Sequence, residues 1–521
     1  MAFGILEPSS PHSGSTVPGT VLLHDPHIQD HQHDTSGSRV KLSGVRKELY
    51  FFTLIFGACV TGAIGPVLVP AFSLVAGEFG VSLQRITLLN GALIMALGVG
   101  SYVAAALANV VGRRLLFLGT SLLLIITCIW AAVTVSYSSL LAARVIQGLS
   151  MPSFFSIGGT LSIFDVFSVH ERGRRVGLWN FAVLFAVNLT PVVSGYLIVA
   201  LSWRWAFWIL AIAFGVGLAL VWSFYPETQV EVICDGEVAT GTTESTPSNP
   251  KEKEHGVPDR SIPLEQEESN KIKTNTATPK WKKLLVIEDV QFGSFQDLIA
   301  GLMRPLALLR HPVAIWSCLM WSIIFTWVII LGAVADQVFA APPYNMEPSQ
   351  VGILIGVAPL IGSAIGTIFA GWMSDLVANF LSARNNGVFE PEYRLTAMIP
   401  CLIGVAVGAF GLGVAIQEGL APIVCGVFLA CLNFGVGCGC TAIVAYTNDV
   451  CMSHSGEVFG LAMLAKSAFA FGISFMLNEF YAQQGPTVFF SVWGVLSTVG
   501  CLATIPMFVL GKRCRALMGP M

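Results

Sequence analysis

The feature that most constrains the fold is a series of apolar runs of about 20 residues each, separated by short polar breaks. An α-helix rises about 1.5 Å per residue, so about 20 residues cross the hydrocarbon core of a bilayer. Six runs lie before a polar insertion that follows Pro226, and six lie after it. The sequence therefore predicts an all-α membrane protein with twelve transmembrane helices in two six-helix halves.

Composition excludes the other broad classes of protein. Charged residues make up 11% of the 521 residues, against roughly 25% in a soluble domain, and the mean hydropathy is +0.72. The net charge of -3 lacks the basic surplus that nucleic-acid binding requires. The 12 cysteines have neither the paired spacing of a disulfide framework nor that of a zinc site. We therefore expect buried, unpaired cysteines and no metal.

Polar segments divide the chain into five parts. We predict a disordered cytoplasmic tail at residues 1–48, an N-terminal half at 49–226, a cytoplasmic linker at 227–310, a C-terminal half at 311–511 and a short cytoplasmic tail at 512–521. Near the end of the linker, apolar side chains recur among polar ones from residue 295 to residue 310. This pattern predicts an amphipathic helix on the membrane surface.

Positive charge in the short loops predicts the orientation. If the N-terminus is cytoplasmic, the short cytoplasmic loops and the C-terminal tail carry ten Lys and Arg residues, with the long linker uncounted, whereas the outer loops carry only Arg85 and Arg204. Because cytoplasmic loops carry the cationic excess, we expect both termini in the cytoplasm. We expect a multi-pass protein of the cell membrane, with a vacuolar or peroxisomal membrane as the alternative.

Two charged residues lie inside apolar runs. Arg144 falls within the fourth run and Lys466 about ten residues into the eleventh. A charge at the centre of a bilayer costs roughly 2.5 to 3.5 kcal/mol, so such residues face the protein interior or a wet cavity. For Arg144 the alternative is that its side chain reaches the outer headgroups.

Carboxylates are concentrated at the ends of the runs. Asp165, Asp375 and Asp449 lie at the cytoplasmic ends, and Asp336 and Glu479 toward the outer ends of spans 7 and 11. For the first three we expect pairing with loop arginines, which would favour one conformation of the protein, with proton relay as the alternative. The segments after spans 4 and 10 contain Asp-Val, Glu and Gly in the same order, which indicates an internal repeat. Internally repeated membrane proteins commonly bind substrate where the repeats meet.

Proline and glycine mark the fifth run, where Pro191 and Gly195 predict a kink and a tight helix contact. The sequence has no phosphate-binding Walker loop, no metal-ligand pair at helical spacing in the spans and no nucleophile-serine motif. We therefore expect no enzyme and no cofactor. A secondary transporter, driven by an ion or substrate gradient, is the function class that remains.

Several motifs resemble the major facilitator superfamily and, within it, the fungal twelve-span drug:proton antiporters. They are Arg144-Val145-Ile146-Gln147-Gly148 in span 4, Gly112-Arg113-Arg114 after span 2, Asp165 with Glu171-Arg172 after span 4, Arg384-Asn385-Asn386-Gly387, and Asp449 to Glu457. The resemblance extends over nearly all of residues 49–511. It implies the major facilitator fold, with a long cytoplasmic central loop between the halves.

The resemblance also implies roles for individual residues. Arg144, with Gln147 and Gly148, is expected to act in proton transfer. Gating or coupling roles are expected for Arg113, Arg114, Asp165, Glu171, Arg172, Asp375, Arg384, Asp449, Glu457, Lys466 and Glu479. A cavity between spans 1, 2, 4 and 5 and spans 7, 8, 10 and 11 is expected to bind the substrate, with candidate lining residues Asn188, Trp316, Trp321, Asn433 and Lys466.

The leading hypothesis is thus proton-coupled efflux of a small organic molecule, such as a drug or a fungal secondary metabolite, by a protein that functions as a monomer in the lipid bilayer. The alternatives are uptake of an organic cation such as a polyamine, or transport across a vacuolar or peroxisomal membrane. A third reading is a nutrient sensor built on the same scaffold that transports nothing.

Overall fold

This computed structural model describes residues 20–22, 44–167, 169–226, 295–451 and 454–518. Residues 1–19 and 23–43 of the predicted tail lie outside the described residues, and so do residues 227–294 of the predicted linker. Among the described residues, twelve helical segments are long and apolar enough to cross a membrane. The predicted number and grouping of spans is confirmed, with six before the central insertion and six after it.

The N-terminal half contains spans 1 to 6, and two of these spans change helix type. Span 1 is an α-helix at Gly44–Ala63, a 3-10 helix at Pro66–Ala71 and an α-helix at Phe72–Phe79. Span 4 is an α-helix at Tyr137–Ser150 followed by a π-helix at Ser153–Ser162 and a short turn at Ile163–Val166. The other four are single helices at Leu83–Val111, Arg113–Val133, Val169–Ala200 and Trp203–Phe224.

The C-terminal half contains spans 7 to 12. Spans 7, 8, 10 and 11 are helices at Pro312–Phe339, Pro348–Arg384, Pro422–Val450 and Ser455–Ser474. Span 9 begins with a 3-10 helix at Pro391–Ala397 and continues at Met398–Gln417. Span 12 comprises Leu477–Leu502 and Thr504–Met518. The imidazole Nδ1 of His311 accepts a hydrogen bond of 3.3 Å from the Val313 amide and so caps span 7.

Because the number of spans is even, the first span begins and the last span ends on the same side of the bundle. Gly44 and Met518 lie at one end, which we call the tail face, and the loops after spans 1, 3, 5, 7, 9 and 11 lie at the other, which we call the far face. Around the bundle, large apolar side chains such as Ile212, Ile368 and Ile423 are more than half exposed. Lipid would cover such a surface, because an apolar area of this extent is unstable in water.

Glycine lines the contacts between the halves. Span 5 packs on span 8 and span 2 packs on span 11. A Cβ atom on Gly356 of span 8 would lie 2.7 Å from the Asn188 carbonyl oxygen, and one on Gly98 of span 2 would lie 2.7 Å from the Ser467 hydroxyl. The absence of side chains there lets the backbones approach closely.

Hydrogen bonds join the halves at the far face. Asp336 of span 7, which is 2% exposed, accepts a hydrogen bond of 2.7 Å from the Ser73 amide and a second from the Ser73 hydroxyl. The side chain of Gln84 in span 2 donates to the Phe475 carbonyl just after span 11. The far face is therefore closed.

A buried ionic cluster lies at the tail face. Arg515 of span 12 donates to Glu392 at 2.9 and 2.7 Å and to Glu390 at 2.8 Å, and Lys512 pairs with Glu390 at 2.9 Å. Burial raises the pKa of Glu390, but the hydrogen bonds from Arg515, Lys512 and Thr20 outweigh burial and leave that pKa below its ordinary value.

The N-terminal tail contributes to the same region. Strand β1 (Val21–Leu22) pairs antiparallel with strand β2 (Val388–Phe389), which lies between spans 8 and 9. The hydroxyl of Thr20 donates to Glu390 at 2.8 Å. The described residues 20–22 of the tail are thus attached to the C-terminal half.

A helix at Phe295–Leu308 occupies the predicted amphipathic segment. It packs against span 2, where the Tyr102 hydroxyl donates to the Leu302 carbonyl. Met303, Leu306 and Leu309 are exposed. Met303 and Leu306 are on the helix and Leu309 follows it directly, and the position of this segment on the membrane surface stays a prediction.

Candidate functional site

A large cavity lies between the two halves. Its volume is about 610 Å³, and spans 4 and 5 of one half and spans 7, 8, 10 and 11 of the other contribute to its wall. The lining extends from Lys466 in the middle of span 11 to Asp375, Arg394 and Asp449 at the tail face. Pockets that bind drug-sized ligands span about 300 to 1,000 Å³, so this cavity has room for such a ligand.

A smaller cavity lies on the far-face side of the large one. Its volume is about 120 Å³, and its polar lining residues are Asn90, Asn188 and Asn433. Phe155 and Phe325 line both cavities. These two rings therefore separate the cavity that extends to the tail face from the smaller space beneath the closed far face.

Lys466 lies in the wall of the large cavity and is 2% exposed. Its Nζ atom is 3.8 Å from the ring centroid of Phe325 and 5.7 Å from those of Phe155 and Trp321. Attraction between a cation and aromatic faces compensates part of the cost of burying the charge.

Arg144 lies inside the N-terminal half, is 1% exposed and lines neither of these cavities. Its guanidinium donates to the Ile64 carbonyl at 2.8 Å and lies 4.9 Å from the Phe207 ring centroid. Ile64 falls between the α-helical and 3-10 segments of span 1. Arg144 therefore connects span 4 to the break in span 1, and it does not reach the outer headgroups.

The rest of the span 4 motif packs around Arg144. Gln147 is fully buried, contacts Arg144 at 3.4 Å and donates to the Thr127 carbonyl at 3.2 Å. A Cβ atom on Gly148 would clash with the Leu93 carbonyl of span 2. The glycine thus permits the close contact between spans 2 and 4.

An ion pair joins Arg113 at the start of span 3 to Asp165 after the π-helix of span 4. Both residues are buried. Arg114 instead donates to the Trp222 carbonyl of span 6 at 3.0 Å. Glu171 and Arg172 fall within the helix Val169–Ala200, but their side chains are outside those that the structure describes.

In the C-terminal half the arginine that pairs with the carboxylates is Arg394. It is bonded to Asp449 of span 10 and lies 3.3 Å from Asp375 of span 8. Arg384 is exposed and stacks 4.3 Å from the Phe380 ring centroid. Like the Arg113 pair, this cluster lies within one half, so both stabilise the tail-face ends of their own half.

The two remaining predicted carboxylates lie outside the cavities. Glu457, in the first turn of span 11, lies 3.4 Å from His454. Glu479 is exposed and accepts a hydrogen bond of 3.0 Å from Gln483. The expected position of Glu479 at the end of span 11 is wrong, because that helix ends at Ser474 and Glu479 lies in the first turn of the next one.

Most of the predicted lining residues come together. Trp321 and Lys466 line the large cavity, and Asn188 and Asn433 line the small one. Trp316 lies elsewhere, with its indole N–H 3.3 Å from the Thr504 hydroxyl and its ring against Tyr446. Trp316 precedes Trp321 by five residues, which places it on a different side of the helix.

Span 5 carries the predicted proline and glycine at the interface with span 8. Pro191 lies inside the helix Val169–Ala200, which continues through it. A Cβ atom on Gly195 would lie 2.7 Å from the Pro348 carbonyl oxygen. The tight contact is thus made with the other half.

Sequence reasoning did not assign functional roles to Phe155, Phe325, Asp336 and Arg394. The two phenylalanines are typical of apolar spans, and no signal distinguishes them. Arg394 follows Glu390-Pro391-Glu392 at the start of span 9, and its distance from Asp375 in the sequence conceals their contact. Asp336 was noted as a carboxylate toward the outer end of span 7, but its contact with Ser73 of span 1 depends on how the two halves pack.

Comparison with known proteins identifies the family. Residues 52–475 match the family model described as Major Facilitator Superfamily. An uncharacterized MFS-type transporter of Schizosaccharomyces pombe is 24% identical over 97% of this chain and 90% of its own length. A protein of Aspergillus flavus named "Probable efflux pump mfs2" is 21% identical over 80% of this chain and 91% of its own.

A solved structure has the same fold. The crystal structure of a D-xylose-proton symporter superimposes with a TM-score of 0.61 and 15% sequence identity, covering 89% of this chain and 98% of the symporter chain. The twelve spans in two halves, the cavity between the halves and the family match agree with one another. The chain therefore belongs to the major facilitator superfamily and is a secondary transporter of that type.

Proposed function

We propose that this transporter exports a small organic molecule in exchange for protons. The observation that carries the proposal is the large cavity between the halves, with its aromatic wall and its extension to the tail face. If the tail face is cytoplasmic, as the loop charges predict, a molecule enters this cavity from inside the cell. The printed name of the Aspergillus flavus relative supports efflux.

The proposed mechanism is alternating access, in which the two halves rock about the substrate. In the state described, span 2 packs on span 11 and span 5 on span 8, and hydrogen bonds from Ser73 to Asp336 and from Gln84 to Phe475 join the halves at the far face. Export requires these contacts to open while the tail-face ends of the halves approach. The Arg113–Asp165 and Arg394–Asp449 pairs then keep each half rigid, since each lies within one half.

Asp336 is the carboxylate best placed to couple a proton to this movement. It is buried, and its hydrogen bonds to Ser73 cross from one half to the other. Opening the far face breaks these bonds and exposes the carboxylate to the side from which protons enter. Glu479 is exposed already, so its environment changes less.

Arg144 has a positioning role in this proposal. An arginine does not lose its proton in proteins, so it does not carry the transported proton itself. Its bond to the Ile64 carbonyl holds the break of span 1 against span 4, and span 1 also carries Ser73, the partner of Asp336. Loss of the guanidinium would loosen this connection.

The test is accumulation of fluorescent drugs and candidate metabolites in cells that express the protein, with and without a protonophore. We expect lower accumulation in expressing cells, abolished by the protonophore. The test variants are Arg144→Ala and Asp336→Asn. Each is first shown to reach the same membrane in the same amount as the unmodified protein. We expect both to abolish the proton-driven component.

Other outcomes would contradict parts of the proposal. Higher accumulation in expressing cells would indicate uptake. Lower accumulation that resists the protonophore would leave export but exclude proton exchange. Unchanged transport in Arg144→Ala would refute the positioning role of Arg144. Reconstitution in liposomes with an imposed pH gradient separates these cases, since direction and driving force are then set by the experimenter.

A further inference from the structure

The large cavity has one charged group deep in its wall, as far as the described residues show. Lys466 lies eleven residues after the start of span 11 at Ser455, about 16 Å along the helix axis from the tail-face end. No described residue forms a hydrogen bond or an ion pair with its ammonium group, and its contacts are the rings of Phe155, Trp321 and Phe325.

The carboxylates that line the cavity do not neutralise this charge. Asp375 and Asp449 lie at the tail-face rim, and both are paired with Arg394. The wall of the small cavity contains no charged residue. The deepest charge in the cavity wall is therefore positive, and it disfavours an organic cation close to Lys466.

Unused hydrogen-bond donors occur at the same place. An ammonium group has three N–H donors, and those of Lys466 have no described acceptor. The indole N–H of Trp321, in the same wall, also has no acceptor among the described residues, and its ring packs edge-on against Phe459. Both residues line the cavity, so a ligand that brings hydrogen-bond acceptors can pair with these donors.

We infer that Lys466 is the counter-ion for a carboxylate or similar anionic group on the transported molecule, and that Phe155, Trp321 and Phe325 contact its planar apolar body. The inference rests on the proposed function, because it specifies the substrate class of that same cavity. The three aromatic residues and the lysine come from spans 4, 7 and 11, so such a ligand contacts both halves at once.

The test compares three probes with one planar body and different charge. These are radiolabelled indole-3-acetate, indole-3-acetamide and tryptamine, measured by equilibrium binding to the full chain in lipid nanodiscs. We expect indole-3-acetate to bind at least tenfold more tightly than the amide, since a charge-assisted hydrogen bond contributes more than a neutral one. We expect tryptamine to bind weakest.

Two variants identify the group responsible. Lys466→Met should abolish the preference for the anion, whereas Lys466→Arg should retain it because the charge is kept. A thermal unfolding curve for each variant establishes that it is folded. The inference is overturned if indole-3-acetate does not bind, if tryptamine binds as tightly, or if Lys466→Met keeps the anion preference.

Failure of this inference is distinguishable from failure of the proposed function. Binding in nanodiscs requires no gradient, so an anion preference that depends on Lys466 stands even if the accumulation assay indicates uptake. Conversely, protonophore-sensitive export of neutral or cationic dyes that persists in Lys466→Met would retain the proposed function and overturn the inference about charge.

Discussion

Replacing Gly195 by alanine should alter which face of the transporter is open. Gly195 lies in span 5 against the first turn of span 8, and an added Cβ atom would lie 2.7 Å from the Pro348 carbonyl oxygen and 3.1 Å from the Ser349 Cα. Carbon and oxygen atoms in close contact normally lie about 3.3 to 3.6 Å apart. All these neighbours are backbone, so the helices themselves must separate by roughly 0.6 Å.

The cost applies to one conformation only. Overpacking of a tight interface costs about 1 to 3 kcal/mol, but the added methyl group meets nothing once spans 5 and 8 part at the far face. A difference of about 2 kcal/mol multiplies the ratio of far-face-open to far-face-closed molecules by roughly 30. The gain in helix propensity, about 0.5 to 1 kcal/mol, is the same in both conformations and leaves that ratio unchanged.

Hydrogen–deuterium exchange of the protein in nanodiscs measures the shift. We expect faster exchange in peptides at the far-face ends of spans 5 and 8, and slower exchange in peptides that line the large cavity near the tail face. The control is Gly215→Ala in span 6, where nothing lies within 4 Å of the added atom. A Gly195→Ala protein with lower thermal stability but the wild-type exchange pattern would refute the reasoning.

Two further predictions concern stability in detergent. Burial, together with the charge of Arg515, lowers the pKa of His311 below its ordinary value of 6.5, so the stability present above pH 6.5 should fall as pH drops through the lowered pKa. His311→Asn keeps a cap for the Val313 amide without titrating, and its melting temperature should change less between about pH 8 and pH 5. Arg515→Ala should lower the free energy of unfolding by about 3 to 5 kcal/mol, because the buried Glu392 loses its arginine and the buried Glu390 loses one of its partners. Changing both glutamates to glutamine in the same chain should restore much of it, and a thermal melt no more stable than that of Arg515→Ala would contradict this account.

The fold was predictable because lipid imposes a simple length rule on apolar runs. The rule does not report changes of helix type, so neither the 3-10 segment at Pro66–Ala71 nor the π-helix at Ser153–Ser162 was expected. The 3-10 segment begins at Pro66 and contains Pro70, and Arg144 donates to the Ile64 carbonyl just before it. The span 11 boundary was misjudged because a second helix begins only a few residues after Ser474.

The candidate site was predictable where charge makes a residue conspicuous. Lys466 stands out in an apolar run, and the structure places it in the cavity wall. Aromatic residues give no such signal, since Trp316 and Trp321 look alike in sequence and only Trp321 lines the cavity. Arg394 was overlooked in favour of Arg384, because its contact with Asp375 depends on how the loop between spans 8 and 9 folds.

The cluster around Arg515 has a consequence for biosynthesis. Glu392 leaves the ribosome 123 residues before Arg515, and Glu390 leaves it 125 residues before. At about 5 to 20 residues per second, Arg515 is synthesised roughly 6 to 25 s after the two glutamates. During that interval the membrane insertion machinery handles a C-terminal half in which Glu390 and Glu392 have not yet met Arg515. A chain that lacks the last helix should therefore be less stable, since Glu392 then lacks Arg515 and Glu390 lacks both Arg515 and Lys512.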